Sequence, residues 1–138
     1  MPDNIFIDTN IIIYALGPHS VKTPVAASLL AGTPFISTQV LSETSNVVLK
    51  RLMLPISETR KLITSLESIC CVEIISPPTI YAALNIREQY HFSWYDSLII
   101  AAALQANCTT LYSEDLQHEQ VIEQKLIIKN PFVLPLVK

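Results

Sequence analysis

The sequence is poor in glycine, in charge and in long apolar runs. With two glycines in 138 residues, it has no collagen-like repeat, no glycine-rich phosphate loop and no flexible glycine linker. Charged residues make up only 15% of the chain while half of it is hydrophobic, a balance that excludes intrinsic disorder. Mean hydropathy is positive, +0.39. Yet the longest clean apolar run, 98–104, is far short of the roughly 20 residues that a membrane-spanning helix needs. The chain opens Met-Pro-Asp-Asn, without the basic segment that starts a secretory signal. These features predict a soluble, cytoplasmic protein whose hydropathy reflects a sheet buried on both faces.

Cysteine and histidine are equally sparse. Cys70, Cys71 and Cys108 offer neither a disulfide framework nor a CxxC zinc spacing. They read as buried free thiols, which fit a reducing compartment. His19, His91 and His118 show no ligand spacing. Net charge is −3, from 12 acids against 9 bases. A chain that coats nucleic acid unaided is usually basic, so any contact here must be local or helped by bound cations.

What is present is an alternation of short strands and helices within one domain spanning 1–138. Ile5-Phe6-Ile7 is continuously apolar, as in a central parallel strand. Further strands are expected at 35–36, 72–75, 109–112 and 126–128. Residues 11–16 predict a turn or two of helix. Thr23-Pro24 as N-cap and N1, with Gly32 closing, predict a helix across 24–31. Thr38 is expected to cap a helix to about Met53, stopped by Pro55. Ser57 and Glu58 open another to about Ile69, and Pro77-Pro78 one to about Tyr90. The segment 96–107 is apolar on nearly every side and is expected to be a buried helix. The class is α/β, with a central, mostly parallel five-stranded sheet flanked by helices.

Most acids fall on solvated faces, but four do not. Asp8 follows the first strand directly, and Asp115 lies just past Leu111-Tyr112; both stand at strand carboxyl ends. Glu43 is in the second turn of the helix after 35–36, flanking the apolar positions Val40 and Val47. These three map to the edge where sites form in open α/β sheets. Asp96 opens the apolar helix, but two helices lie between the third and fourth strands, so periodicity does not fix which edge it faces. Taken singly, each acid has a plainer reading: Asx-turn, helix flank, first-turn acid or loop. Together they carry more. At about 5 Å and an effective dielectric near 20, each pair repels by roughly 3 kcal/mol. Either some stay protonated, or a hard divalent cation, Mg²⁺ or Mn²⁺, sits among them. Such a metal suits phosphodiester hydrolysis. Thr9, Asn10, Ser97 and Ser113 are candidates to hydrogen-bond and orient the acids.

Four stretches, Ile7-Asp8-Thr9-Asn10, Val40-Leu41-Ser42-Glu43, Tyr95-Asp96-Ser97-Leu98-Ile99-Ile100-Ala101-Ala102-Ala103 and Leu111-Tyr112-Ser113-Glu114-Asp115-Leu116, resemble the successive acidic motifs of PIN-domain nucleases. They are most similar to the VapC-type toxins of bacterial toxin–antitoxin pairs. The resemblance covers nearly the whole chain. It implies a PIN-like three-layer α/β/α fold and a metal-dependent endoribonuclease in which Asp8, Glu43, Asp96 and Asp115 form the catalytic metal site. It also places the start of the Asp96 helix beside Asp8, and it implies an antitoxin covering the acidic pocket.

Lys50-Arg51 and Arg60-Lys61 flank Pro55 between two helices. They are either RNA phosphate contacts or a solvated face. Tyr90, Phe92, Trp94 and Tyr95 precede Asp96, suited to packing or to base stacking. The apolar tail 132–137 is a candidate for homodimer contacts. Two other classes compete: a non-catalytic binding module on the same scaffold, and a phosphohydrolase using Asp8 as nucleophile. The latter, resembling haloacid dehalogenases, would want a second Asp where Asn10 stands.

Overall fold

The triplet Ile5-Phe6-Ile7 is covered on both faces, with Phe6 and Ile7 fully buried, and forms β1 (Ile5–Ile7) in the interior of the sheet. The computed structural model describes residues 4–18 and 21–133. After β1 come α1 (Thr9–Ala15), α2 (Lys22–Ala31), β2 (Phe35–Ser37), α3 (Thr38–Lys50), α4 (Ile56–Ile69) and β3 (Cys71–Glu73). The chain continues through α5 (Pro77–Tyr90), α6 (Trp94–Gln105), β4 (Thr110–Tyr112), β5 (Val121–Ile122) and β6 (Leu126–Lys129). The strand order is β3-β2-β1-β4-β6-β5. All neighbours are parallel except β5, which runs antiparallel to β6 at the edge. Helices complete a three-layer α/β/α architecture.

The sheet therefore has six strands where the sequence predicts five. β5 is only two residues long, too short for an alternation signal, and it lies among polar residues. Helix starts also move. α3 is capped by Ser37, whose Oγ accepts from the Val40 N–H at 3.3 Å. Thr38 is already helical, and its Oγ1 accepts from the Ile75 N–H instead. Pro55, not Ser57, precedes α4. α2 begins at Lys22 rather than Pro24, and the Thr23 hydroxyl donates to the Tyr14 carbonyl at 2.8 Å. α3 ends at Lys50, short of Met53, because Met53 turns into the left-handed region (φ 55) ahead of Pro55.

The core gathers Ile36, Leu111 and Ile128 from the sheet with Ile99 and Ile100 from α6. Each such side chain contributes about 1.5–3 kcal/mol on burial. Residues 97–103 of α6 are all buried, as the apolar run predicts. The buried line on α3 is Val40, Thr44 and Val48; Val47, expected beside Val40, faces a cleft instead. No helix among the described residues is long and apolar enough to cross a membrane. Cys70 and Cys108 are buried, and burial pushes their thiols up to about 11 and about 12. Cys71, on the edge strand β3, is exposed rather than buried.

Candidate active site

Strand order reverses beside β1, with β2 on one side and β4 on the other, and ligands of open α/β sheets bind outside the carboxyl ends at such a point. Asp8 stands there. Its N–H stays on the ladder, donating to the Tyr112 carbonyl at 3.0 Å, while its side chain caps α1. Oδ1 accepts from the Thr9 N–H at 2.7 Å, and Oδ2 accepts from the Ser113 hydroxyl at 2.9 Å. Asp8 is only 7% exposed. Burial pushes its pKa up to about 6 against these two hydrogen bonds, and the charges of Glu43 and Asp96 push in the same direction as burial.

Each remaining acid arrives on a different element. Glu43, on α3, accepts from the Thr9 hydroxyl through Oε1 at 2.9 Å. Asp115, beyond β4, accepts from the Asn10 amide through Oδ2 at 2.9 Å. Asp96 lies in the first turn of α6, where its N–H donates to Ser93 Oγ at 3.2 Å. Its carboxylate has no hydrogen-bond partner among the described residues. All four acids line one cleft of about 810 Å³. The loop after β4 is further tied down by Glu114, which accepts from the Tyr14 hydroxyl at 2.7 Å and from Lys22. Ser97, by contrast, donates to the Ser93 carbonyl at 2.8 Å within its own helix.

The donor set is oxygen-only, and its most buried member resists ionisation chiefly because it is desolvated, with the charges of Glu43 and Asp96 adding to the effect. That chemistry fits a hard divalent cation better than a soft one. Among the described residues, no three acidic, histidine or cysteine side chains close around a single point.

Of the four bases flanking Pro55, Arg51 lines the cleft, whereas Lys50, Arg60 and Lys61 do not. Lys61 sits 3.5 Å from Glu58 on an exposed helix face. Tyr95 reaches the cleft and is exposed, while Tyr90 and Phe92 stack on each other at 6.0 Å and pack on the core. Trp94 packs on the smaller cluster beside Leu98. His118 accepts from the Asn130 N–H, His91 closes α5, and His19 lies outside the described residues. In the tail, Phe132 packs edge-on against Tyr14 at 5.2 Å; residues 134–137 also lie outside the described residues.

Sequence reasoning missed Tyr14, Gln39 and Asn46, which share the cleft. For the two on α3 a signal existed: positions 39, 43 and 46 fall on one helical face.

The fold has counterparts among solved structures. A toxin–antitoxin complex from Klebsiella pneumoniae is similar at a TM-score of 0.71 and 18% identity, covering 93% of this chain and 98% of that one. VapC20 from Mycobacterium tuberculosis, a Sarcin-Ricin loop cleaving toxin, is similar at 0.64 and 19%, covering 81% and 90%. VapBC2 from Rickettsia felis, bound to a fragment of promoter DNA, is similar at 0.65 and 23%, covering 91% and 97%. At these identities the likeness is one of fold. No curated protein matches. The PIN domain family model matches residues 5–123, a span that begins with β1 and carries every acid lining the cleft, so the chain belongs to the PIN domain family.

Proposed function

We propose that the protein is a divalent-metal-dependent endoribonuclease, acting as the toxin of a toxin–antitoxin pair. The observation that carries this reading is the state of Asp8: a buried carboxyl at the strand-order reversal, its pKa raised to about 6, with Glu43 and Asp96 close enough to add to the shift. Such a cluster is stabilised by a bound cation. In this reading Asp8, Glu43, Asp96 and Asp115 would hold Mg²⁺ or Mn²⁺, which when bound would activate water and offset charge on the phosphate.

The chain's own part is orientation. The Ser113 hydroxyl and the Thr9 N–H fix both oxygens of Asp8. The Thr9 hydroxyl aims Glu43, and the Asn10 amide aims Asp115. The Asp96 carboxylate, which accepts no hydrogen bond among the described residues, keeps its full acceptor capacity for a ligand. Membership of the PIN family, and the presence of toxin–antitoxin proteins among the similar folds, support the nuclease and the antitoxin partner. RNA as substrate is supported by the Sarcin-Ricin loop cleaving neighbour. A cytoplasmic location and a homodimer complete the reading.

The test is cleavage of a labelled small-RNA pool, including ribosomal RNA, with Mg²⁺ or Mn²⁺. Discrete cleavage is expected, abolished by EDTA and reduced at least a hundredfold in Asp8→Asn and Asp96→Asn. Cleavage that survives in both variants would remove these residues from the mechanism.

A further inference from the structure

The cleft is chemically divided. The four acids occupy one part of it, and the only cation lining it among the described residues is Arg51, at the C-terminal end of α3. Gln39, Glu43, Val47 and Arg51 recur every four residues, so they form one stripe down that helix. From Glu43 to Arg51 the rise is roughly 12 Å, a distance that a strand of a few nucleotides covers. The guanidinium makes no ion pair or hydrogen bond among the described residues, despite sharing a cleft with carboxylates.

Beside the start of this stripe stands Tyr95, which lines the same cleft. Its carbonyl accepts from the Gln39 amide at 3.2 Å, which ties the start of α6 to the start of α3. Its side chain is nevertheless 64% exposed on the cleft, one residue from Asp96. A fixed backbone under an open ring is a stacking platform.

We propose that the α3 stripe, running from Gln39 beside Tyr95 to Arg51, is the track for single-stranded RNA flanking the cleaved bond, with Arg51 pairing a backbone phosphate and Tyr95 stacking an unpaired base. This inference rests on the nuclease reading and assigns the substrate's class and register within that site. The acids repel an approaching strand; a free guanidinium farther along the same wall offsets that repulsion for a neighbouring phosphate. Only an unpaired base exposes the face that Tyr95 stacks on.

The experiment is fluorescence anisotropy of a short, mixed-sequence, single-stranded RNA. It uses the full chain carrying Asp8→Asn and Asp96→Asn, in EDTA, across a salt series. Neither cleavage nor metal enters this readout. Inactive wild-type protein would therefore count against the nuclease reading, while the binding series still decides the track. In this background, Arg51→Ala is expected to weaken binding about tenfold and to flatten the log–log salt slope by about 0.7, and Arg51→Lys to restore the slope. Tyr95→Leu is expected to cost about tenfold without changing the slope, and Tyr95→Phe to bind as the parent does. Lys61→Ala, off the cleft, should leave affinity and slope unchanged. A purely structural Arg51, satisfying the end of α3, would lower thermal stability and leave the slope alone. That result overturns the proposal, as would an absence of RNA binding or a Lys61→Ala effect equal to that of Arg51→Ala.

Discussion

Asp8 holds its proton up to about pH 6 in the folded protein, whereas an unperturbed Asp releases it near 3.8. Between those values the folded state binds a proton that the unfolded chain has lost, so this residue adds stability as pH falls from 6 toward 3.8 and withdraws it as pH rises. The full swing is about 3 kcal/mol. Asp8→Asn removes it. In EDTA the variant is expected to be about 2 kcal/mol more stable than wild type at pH 7.5, with the difference shrinking to near zero at pH 4. Urea midpoints measured on both proteins across that range check this, and parallel pH profiles would show that burial does not strain the carboxylate. At this scale the sequence was informative where a strand end decides placement. Asp8 and Asp115 follow apolar triplets and so fall at the carboxyl edge. Ser113 against Asp8 and Thr9 against Glu43 needed coordinates, because a hydroxyl's partner is not written in its spacing; Ser97, equally plausible by sequence, turned to its own helix.

Elements show what scarce glycine does to the chain. Seven non-glycine residues among those described adopt positive φ: Thr33, Met53, His91, Asn107, Glu119, Glu123 and Gln124. His91 is the C-cap of α5 at φ 65, its N–H donating to the Arg87 carbonyl, a position that glycine fills at no steric cost. A left-handed residue bearing a Cβ costs about 1–2 kcal/mol, offset in part by the extra freedom glycine has when unfolded. His91→Gly is therefore expected to raise stability by about 0.5–1 kcal/mol and to leave RNA cleavage unchanged, read by thermal melts and by the same cleavage assay. A loss of stability would mean that the exposed imidazole makes a contact worth more than the backbone strain. Such turns blurred the boundaries in the sequence: α3 stops at Lys50 because Met53 reverses, and the two-residue β5 sits between the left-handed Glu119 and Glu123. The long apolar pattern of α6 was the easiest element to read, yet its direction was not, since α5 and α6 both lie between β3 and β4.

At the scale of the molecule, the cleft exists only through the sheet order. Residues 8, 43, 96 and 115 come from four segments, and β1 with β4 and the starts of α3 and α6 must dock before any two acids meet. Such a site has little local stability of its own, so it should form and melt with the whole domain. The chain's single tryptophan, Trp94, lies two residues from Asp96 and packs on Leu98's cluster, which makes it a reporter for that docking. Urea unfolding followed by Trp94 fluorescence and by far-ultraviolet circular dichroism is expected to give one coincident transition. Mn²⁺ at a hundred times its dissociation constant should then move the midpoint upward by about 2.7 kcal/mol of stability. The shift should shrink at pH 5, where the proton competes for Asp8, and should vanish in Asp96→Asn at every pH. This measurement needs no knowledge of the RNA target. A fluorescence transition that precedes the loss of helix would show that α6 undocks on its own. A Mn²⁺ shift that persists in Asp96→Asn would mean that the ion binds elsewhere on an acidic surface, and the four-acid centre would lose its main physical support.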